Sequence, residues 1–443
     1  MINFSLSPEQ LKIQQEARVF ALKEVLPVAW CYDEKDELPL FILKKAFDSG
    51  IMNITIPRKY GGPGYGLMEC ALIVEEISAA CAGLATSIFD NSLGVEPLLL
   101  TKNEQARAKY LPVIAKDFKL ISFATSEPTT GSDVAGIRCR ADKDGDDYIL
   151  NGTKYWMTNG GVADYYSIFA TVDPKAGHKG ICAFLIEKGW EGISTGLHIP
   201  KLGQRSSNTV GIHFRNTRVP KENVLAEPGQ GFYMAMTAFA RTRPIIGSFG
   251  VGAARTAMEL AIDYAKRRRA FGFPLRDFQA VAFKIAEMYQ KIETARLLTW
   301  KAAWEADSGK DPTITASITK FYATEAAFEV VDEALQIFGG YGYTRMYPIE
   351  KLFRDLRLLR IYEGTSEVQR VVVSRFAFDT YKPIMPALED FPQLEHLDVH
   401  ETPGENAWRC PMCGYVHRGP EPPDECPYCF FPKAAFKKVW PRA

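Results

Sequence analysis

Apolar residues recur at helical spacing through the first part of the chain. The segment SPEQLKIQQEARVFALKEV begins with Ser7, a good N-cap residue, and places Pro8 at the first helical position. Two more helical patterns, ECALIVEEISAACAGLATSIF and NEQARAKYLPVIAKD, follow the Gly/Pro-rich loop PRKYGGPGYGLME. We therefore predict an N-terminal α-helical domain over residues 1–119.

The hydrophobic pattern changes between residues 120 and 230. Short runs of β-branched and aromatic residues, such as YYSIFATVD and ICAFLIE, are separated by turn residues. Because these runs are short and closely spaced, they predict a middle β domain built as a small barrel or sandwich.

Long amphipathic patterns return between residues 231 and 380. The segment AVAFKIAEMYQKIETARLLTWKAAWEA is long enough for several helical turns. A second segment, SITKFYATEAAFEVVDEALQIFGG, ends at Gly339 and Gly340, and glycine is typical of a helix end. This region predicts a C-terminal helical bundle domain.

The end of the chain differs from the body. Residues 381–407 contain four prolines and six acids, with no Lys or Arg between Lys382 and Arg409. Proline and like-charge repulsion both favour an extended linker. A small cysteine-rich domain over residues 408–443 follows. The predicted fold class is therefore multidomain α+β: an N-terminal helical domain, a middle β-barrel or sandwich domain, a C-terminal helical bundle and a small metal knuckle domain.

Composition and charge narrow the class of protein. The chain has 443 residues, of which 47% are hydrophobic and 24% charged, with a net charge of zero. These values are ordinary for a soluble globular protein and argue against a broad nucleic-acid-binding surface. The N-terminus lacks the pattern of a secretory signal, and no uncharged stretch reaches the ~18 residues that a membrane span needs. We expect a cytoplasmic protein with no integral membrane segment, and buried thiols at the cysteines of the body: Cys31, Cys70, Cys81, Cys139 and Cys182.

Two CxxC pairs near the end of the chain predict a metal site. They lie in WRCPMCGYVHRGPEPPDECPYC and supply Cys410, Cys413, Cys426 and Cys429. Four thiolates at this spacing can surround one ion tetrahedrally, a geometry that suits both iron and zinc. The segment resembles the rubredoxin-like domain found at the end of rubrerythrins. The resemblance implies an iron site for electron transfer. The alternative is a zinc ribbon that stabilises the fold or docks a partner.

The body of the chain contains polar segments of another kind. No GxGxxG follows a predicted strand, so a Rossmann nucleotide site is not indicated. The loop TSEPTTGSD, the strand end KYWMTNGG and the basic segment RRRAFGFPLRDFQA each combine turn residues with hydroxyls, aromatic rings or charges. Glu363 lies between apolar Ile361 and Gly364, and we expect Ser366 and Gln369 to form a capping box for the next helix. That arrangement would hold a carboxylate rigidly at a helix start.

These segments, in this order, resemble the acyl-CoA dehydrogenase family, from about Ser5 to Phe378, and most closely its short- and medium-chain branch. The resemblance implies an α–β–α body that binds FAD and forms a homotetramer or homodimer. By resemblance, Glu363 is the catalytic base. The residues expected to bind FAD, some of them from a neighbouring subunit, are Phe123, Thr125, Ser126, Gly131, Ser132, Trp156, Thr158, Arg268, Phe271, Gln279, Gln336, Gly339, Gly340, Thr365 and Glu367. The residues expected near the substrate are Ser132, Phe89, Asp90, Arg243 and Gly364.

The implied activity is FAD-dependent formation of the α,β-double bond of an acyl-CoA thioester. Glu363 would remove the α-proton while the β-hydrogen leaves as hydride to the flavin. Electrons would pass to an electron-transfer flavoprotein or another redox protein, with the tethered iron site as a relay. The alternatives are an enoyl-CoA reductase that runs the reverse reaction, a dehydrogenase whose tail is a zinc docking module, and a non-enzymatic helical scaffold. The residues leave the acyl group open between a straight medium chain and a short, branched, cyclic or functionalised one.

Overall fold

The computed structural model describes residues 5–385 and 407–439. The chain divides into two units, Met1–Asp379 and Thr380–Ala443. Most of the predicted linker, residues 381–407, lies outside the described residues.

Helices form the first part of the larger unit. The first helix begins as the sequence predicts, because the Ser7 hydroxyl accepts a hydrogen bond from the Gln10 backbone N–H (3.1 Å) while the Ser7 N–H donates to the Gln10 side chain (3.0 Å). A single π-helical turn, Ala21–Val25, joins the first two helices. The helices of this part are α1 (Pro8–Phe20), α2 (Leu26–Lys35), α3 (Leu40–Asp48), α4 (Leu67–Ala80), α5 (Ala82–Leu100) and α6 (Glu104–Lys116).

The middle of the larger unit is an eight-stranded sheet. Its strands are β1 (Ile121–Ala124), β2 (Arg140–Asp144), β3 (Asp147–Thr158), β4 (Tyr165–Thr171), β5 (Ile181–Glu187), β6 (Ile193–Thr195), β7 (Thr209–Val219) and β8 (Val224–Ala226). They follow the order β6-β7-β3-β2-β4-β5-β8, and β1 pairs with β4. The order is open at β6 and β8 among the described strands. Of the two predicted forms the sheet is therefore sandwich-like, and the closed barrel was wrong.

A helical bundle completes the larger unit. Its elements are α7 (Gly231–Arg267), the short strands β9 (Arg269–Ala270) and β10 (Phe273–Pro274), and helices α8 (Gln279–Asp307), α9 (Thr313–Phe338), α10 (Ile349–Leu356) and α11 (Ser366–Asp379). As predicted, α9 ends at Gly339, which has a φ of +59°. A Cβ at Gly252 of α7 would lie 2.1 Å from the Glu75 carbonyl of α4, so the close crossing of these helices requires glycine.

Helix α7 is the central helix of the bundle. Of the helices that the structure describes, it alone is long and apolar enough to cross a membrane by length and composition. Within the protein, 72% of its most apolar window is buried. Core helices of soluble proteins have the same length and composition, so this property does not assign α7 to a membrane.

Buried ion pairs hold the N-terminal helices against the bundle. The Glu76 carboxylate accepts hydrogen bonds from Arg18 of α1 and Arg255 of α7, both at 2.8 Å. The neighbouring Glu75 pairs with Arg296 of α8 at 3.0 Å. Because both glutamates are buried, their negative charges need partners, and these arginines supply the positive charges.

The smaller unit contains β11 (Ala407–Arg409), β12 (Val416–Arg418) and β13 (Lys437–Val439), in the order β12-β11-β13. The Trp408 indole donates to the Gly419 carbonyl at 3.1 Å and fixes the loop after β12. Among the cysteines of the larger unit, Cys31 is exposed, so the expectation of a buried thiol was wrong there, whereas the other four are buried.

Candidate active site and metal centre

Glu363 lies in a sharp turn that precedes α11. Its φ is +56° and that of Gly364 is +87°, both in the left-handed region. A Cβ at Gly364 would lie 2.5 Å from the Gln369 amide nitrogen, so the turn requires glycine. The carboxylate therefore belongs to a backbone conformation that tertiary contacts must hold in place.

The cap of α11 differs from the expected Ser366–Gln369 capping box. The Thr365 hydroxyl accepts a hydrogen bond from the Val368 N–H (3.2 Å), whereas the Ser366 hydroxyl is buried without a partner among the described residues. Gln369 instead donates to the carbonyls of Glu363 (3.3 Å) and Gly364 (3.1 Å). The capping-box prediction was wrong because these strained carbonyls compete for the Gln369 amide.

Side chains from two distant helices hold the same turn. The Thr242 hydroxyl donates to a carboxylate oxygen of Glu363 at 3.0 Å, and Arg243 Nε donates to the Glu363 carbonyl at 3.2 Å. Lys320 of α9, which is fully buried, donates to the Gly364 carbonyl at 2.7 Å. Thr242 and Lys320 were missed from the sequence. Thr242 stands beside the predicted Arg243, but no local pattern marks Lys320.

Burial governs the charge of this cluster. It raises the pKa of Glu363 to about 7, against the Thr242 hydrogen bond and the positive charges of Arg243 and Lys320, which lower it. Burial likewise lowers the pKa of Lys320 to about 7, while the charge of Glu363 raises it. A carboxylate with such a pKa is suited to exchange a proton near neutral pH.

We expect any proton abstraction by Glu363 to depend on pH with an acid limb near 7. Only the ionised carboxylate accepts a proton, so the rate should rise as pH increases through about 7 and level off above it. Because Lys320 titrates in the same range and interacts with Glu363, the limb belongs to the pair. A stopped-flow pH profile checks this, and a flat profile from pH 5.5 to 8.5 would contradict it.

The β domain brings together the predicted flavin-ring residues Phe123, Thr125, Ser126, Trp156 and Thr158. The Tyr155 N–H donates to the Ser126 carbonyl at 2.9 Å, and the Ser122 hydroxyl donates to the Thr158 carbonyl at 2.6 Å. These hydrogen bonds hold residues 122–126 next to the end of β3. The predicted residues from the two segments therefore share one patch of the β domain.

A buried ion pair braces this patch from behind. Lys154 Nζ lies 2.7 Å from Glu127 Oε1 and donates to the Thr125 carbonyl at 3.0 Å. The Glu127 carboxylate also accepts from the backbone N–H groups of Arg138 (2.7 Å) and Cys139 (2.9 Å). With its partners satisfied, the pair holds the loop after β1 against β3. The sequence reasoning did not single out either residue.

The front of the patch is open. Trp156 has a φ of +61° and is 58% exposed, an unusual state for a large aromatic ring. Gly131 and Ser132 are exposed, and no atom lies within 4 Å of a Cβ placed on Gly131. An exposed ring next to hydroxyls and an open glycine fits a flat aromatic cofactor with a phosphate end.

Other predicted cofactor residues form a second exposed group on the bundle. They are Arg268, Phe271, Gln279, Gln336, Gly339 and Gly340. The Arg268 guanidinium lies over the Tyr341 ring at 5.8 Å, and Phe271 is 91% exposed with a φ of +52°. No hydrogen bond, ion pair or ring contact among the described residues joins this group to the Trp156 patch. Thr365 lies beside Glu363, whereas the exposed Glu367 pairs with Arg370 at 3.8 Å.

The predicted substrate residues of α5 are buried. The Phe89 ring meets the Phe249 ring of α7 edge to face, with centroids 5.8 Å apart. Asp90 is also buried, and its environment includes the charge of Glu363. The structure thus brings Asp90, Arg243 and Gly364 into the neighbourhood of the Glu363 turn, while the exposed Ser132 stays with the β-domain patch.

The four cysteines of the smaller unit converge as predicted. Their sulfurs all lie within 4.8 Å of one another, with separations of 3.5, 3.4 and 3.6 Å for the pairs Cys410–Cys429, Cys413–Cys426 and Cys413–Cys429. A tetrahedron of thiolates about 2.3 Å from an ion has edges of roughly 3.8 Å. The sulfurs are therefore already arranged to bind one iron or zinc ion.

Backbone turns build the two halves of this site alike. The Gly414 N–H donates to the Cys410 carbonyl (3.1 Å), and the Phe430 N–H donates to the Cys426 carbonyl (2.8 Å). Gly414 and Phe430 both have positive φ, +79° and +56°. Cys410 and Cys426 are buried while Cys413 is exposed, so one side of the site faces solvent.

Family models match nearly the whole larger unit. The acyl-CoA dehydrogenase N-terminal domain matches residues 7–117, the middle domain residues 122–217 and the C-terminal domain residues 229–378. The probable acyl-CoA dehydrogenase FadE25 of Mycobacterium tuberculosis is 39% identical over 373 residues, which cover 84% of this chain and 96% of that protein. The chain belongs to the acyl-CoA dehydrogenase family. A fourth model, the rubrerythrin rubredoxin-like domain, matches residues 408–437.

Solved structures agree with the family assignment. Butyryl-CoA dehydrogenase from Megasphaera elsdenii superposes with a TM-score of 0.82 at 36% identity, over 84% of this chain and 99% of that chain. A chain from the structure of the electron transferring flavoprotein of Acidaminococcus fermentans gives 0.83 at 37% identity, over 85% and 100%. Acyl-CoA dehydrogenases are flavoprotein oxidoreductases, so the fold implies FAD, and the exposed Trp156 patch fits it.

Proposed function

We propose that the protein is an FAD-dependent acyl-CoA dehydrogenase that forms the α,β-double bond of an acyl-CoA, with Glu363 as the base. The observation that carries this proposal is the Glu363 turn. Its carboxylate has a pKa of about 7 and a hydrogen bond from Thr242, and its backbone is held by Arg243, Gln369 and Lys320. A family member with a carboxylate in this state has the group that the reaction needs.

The chain's own residues supply the proton-transfer half of the reaction. Thr242 orients the Glu363 carboxylate, and the Gly364 turn keeps it at one position, so little reorganisation precedes proton transfer. A bound acyl thioester would exclude water from Glu363 and strengthen the interaction with the α-proton. The positive charges of Arg243 and Lys320 lie behind the base and limit the rise of its pKa.

The residues of the β-domain patch would hold FAD. Trp156 would pack on the flavin ring, the Thr158 hydroxyl would lie near its edge, and Gly131 with Ser132 would face the phosphates. FAD, when bound, accepts the β-hydrogen as hydride. The buried Lys154–Glu127 pair holds the loop after β1 against β3, and these two segments carry the residues that would bind FAD.

The second exposed group supports an oligomer in which FAD also meets a neighbouring subunit. Arg268, Phe271 and Gln279 are exposed in one chain, and the exposed Phe273, two residues after Phe271, adds to the apolar surface that another subunit could cover. We propose a homotetramer or homodimer. The electron acceptor we propose is an electron-transfer flavoprotein or another redox protein.

We propose iron at the four-cysteine site, with zinc as the alternative. The rubredoxin-like match and the exposed Cys413 support a redox site, because a metal-bound sulfur at the surface shortens the distance for electron transfer to another protein. The tail would then exchange electrons with the dehydrogenase body. If removing residues 408–443 leaves turnover with the physiological acceptor unchanged, the relay is excluded.

An anaerobic titration of the oxidised holoprotein with acyl-CoAs tests the proposal. We expect the visible flavin absorbance to bleach on addition of a substrate, and a separate ferric-thiolate band to fade with it. Bleaching without any ferric-thiolate band identifies zinc and a structural or docking tail. A flavin that stays oxidised with every acyl-CoA contradicts the dehydrogenase proposal. A flavin that is reduced through NADH and then reoxidised by an enoyl-CoA would favour a reductase.

A further inference from the structure

Asp90 is a buried carboxyl group that forms no ion pair with any residue the structure describes. It lies on α5, is 7% exposed, and its Oδ2 has no hydrogen-bond partner in the part of the chain that the structure describes. Most buried polar groups are hydrogen-bonded, so an orphaned carboxyl oxygen calls for an explanation.

Other buried acids of the protein have such partners. Glu96, two turns further along α5, pairs with Arg241 at 2.9 Å. Glu127 pairs with Lys154 at 2.7 Å, and Asp355 pairs with Lys351 at 2.5 Å. Asp90 therefore differs from these paired acids, because no cation within residues 5–385 or 407–439 forms an ion pair with it.

The position of Asp90 places it beside the proposed reaction. Thr86, one helical turn earlier on the same face of α5, donates to the Gln204 side chain at 2.7 Å. Helix α5 packs on α7 through the Phe89–Phe249 rings and the Glu96–Arg241 pair. The next residue of α7, Thr242, donates to the Glu363 carboxylate at 3.0 Å, so this part of α5 lies near the Glu363 turn, and the charge of Glu363 acts on Asp90. Next to Asp90, the Phe89 and Phe249 rings form an apolar wall. An acyl chain that extends from Glu363 along this part of α5 would meet the Asp90 carboxyl group.

The charge state of Asp90 follows from the same surroundings. Burial, and then the negative charge of Glu363, raise the pKa of Asp90 well above its usual value. When Glu363 is ionised to act as a base, a second anion nearby is unfavourable, so the surroundings favour the protonated form of Asp90. A neutral carboxyl group both donates and accepts a hydrogen bond.

We propose that Asp90 is a specificity-determining residue that binds a neutral oxygen substituent, a hydroxyl or oxo group, on the acyl chain beyond the β-carbon. This inference rests on the proposed acyl-CoA dehydrogenase activity and names its substrate class. A polar acyl group would satisfy the orphaned carboxyl, whereas a plain hydrocarbon chain would leave it unpaired.

A neutral substituent fits better than a carboxylate. Glu363 already places one negative charge in this region. The cations that act on Glu363, Arg243 and Lys320, donate to the carbonyls of Glu363 and Gly364. A substrate carboxylate would therefore add a second buried anion next to Glu363, which costs more than a neutral polar group.

Matched acyl-CoAs test the proposal on the holoenzyme. The panel pairs hexanoyl-CoA with its 4-hydroxy, 5-hydroxy and 5-oxo derivatives, and adds glutaryl-CoA as the charged acyl group. We expect the wild-type enzyme to favour at least one hydroxy or oxo compound by about 10- to 100-fold in kcat/KM, because a site with a buried polar group discriminates against analogues that cannot pair with it. Asp90→Leu should reverse the order in favour of hexanoyl-CoA. Asp90→Asn, which keeps a donor, should retain the preference for the oxo compound.

A binding measurement covers the case in which Asp90→Leu does not fold. Calorimetric Kd values of unreactive 3-thia analogues, with and without the hydroxyl or oxo group, should show the same preference for wild type and Asp90→Asn. Glu96→Gln, the change of a paired buried acid on the same helix, should leave the order of the panel unchanged.

The outcomes separate this inference from the proposed function. If wild-type enzyme oxidises hexanoyl-CoA as well as or better than every oxygenated compound, or prefers glutaryl-CoA, the role of Asp90 is overturned while the dehydrogenase activity stands. If no acyl-CoA in the panel or in a wider straight-chain series reduces the flavin, both proposals fall.

Discussion

Replacing Glu363 with Gln should slow the reduction of bound FAD by acyl-CoA about 10²- to 10⁴-fold, the range that a positioned general base contributes. The amide keeps the size of the side chain and can still accept the Thr242 hydrogen bond, but it cannot take a proton. The turn should remain intact, because its carbonyls are held by Arg243, Gln369 and Lys320. Stopped-flow reduction above pH 7.5, where wild-type Glu363 is ionised, measures the effect.

The appropriate control is an acid outside the site. Glu329→Gln on α9 removes an exposed carboxylate that pairs with Lys291 at 2.6 Å, and we expect its reduction rate to match that of wild type. Acyl-CoA affinity should change little in Glu363→Gln, since binding and proton abstraction use different contacts. A rate within tenfold of wild type would mean that another residue is the base.

Replacing Cys426 with Ser should abolish metal binding and unfold the smaller unit. Cys426 is fully buried, and among the described residues the buried core around it consists of Cys410 and Phe436. So small a core cannot fold alone, and in small metal-binding domains the metal supplies about 10–16 kcal/mol at neutral pH. We expect metal content to fall from about one ion per chain to near zero, and residues 407–439 to become sensitive to protease.

The Cys426→Ser change should leave the larger unit folded. Met1–Asp379 is a unit of its own with its own hydrophobic core, so FAD binding and the unfolding temperature of the body should stay at their wild-type values. Cys31→Ser, at an exposed cysteine of the body, serves as the control and should retain the metal. A Cys426→Ser protein that keeps one tightly bound ion would show that the other three cysteines suffice.

Local chemistry let the sequence predict many elements. Ser7, Pro8 and Gln10 specify the start of α1 through contacts within one turn, and Gly339 ends α9 because it adopts a positive φ. The CxxC spacing likewise brings four sulfurs together through two short turns. In each case the interacting groups are near neighbours in the chain, so the pattern contains the structural information.

Predictions failed where one sequence pattern is compatible with more than one set of contacts. Ser366 and Gln369 have the spacing of a capping box, but Gln369 binds the carbonyls of the Glu363 turn and Thr365 caps the helix instead. The sandwich and barrel forms of the β domain also share one hydropathy pattern. Only the pairing order of the strands, open at β6 and β8, distinguishes them.

The sequence by itself determined which regions are helical and which are β-stranded, which cysteines converge as a metal site, and that a glutamate precedes Gly364. Only the tertiary structure decided the chemical state of that glutamate. Thr242 and Lys320 reach it from helices far along the chain, and burial raises its pKa to about 7. The same holds for Asp90, whose Oδ2 is buried without a hydrogen-bond partner among the described residues only once the chain has folded. Desolvation and through-space charge depend on what surrounds a residue in the fold, and hydropathy patterns along the chain do not record those neighbours.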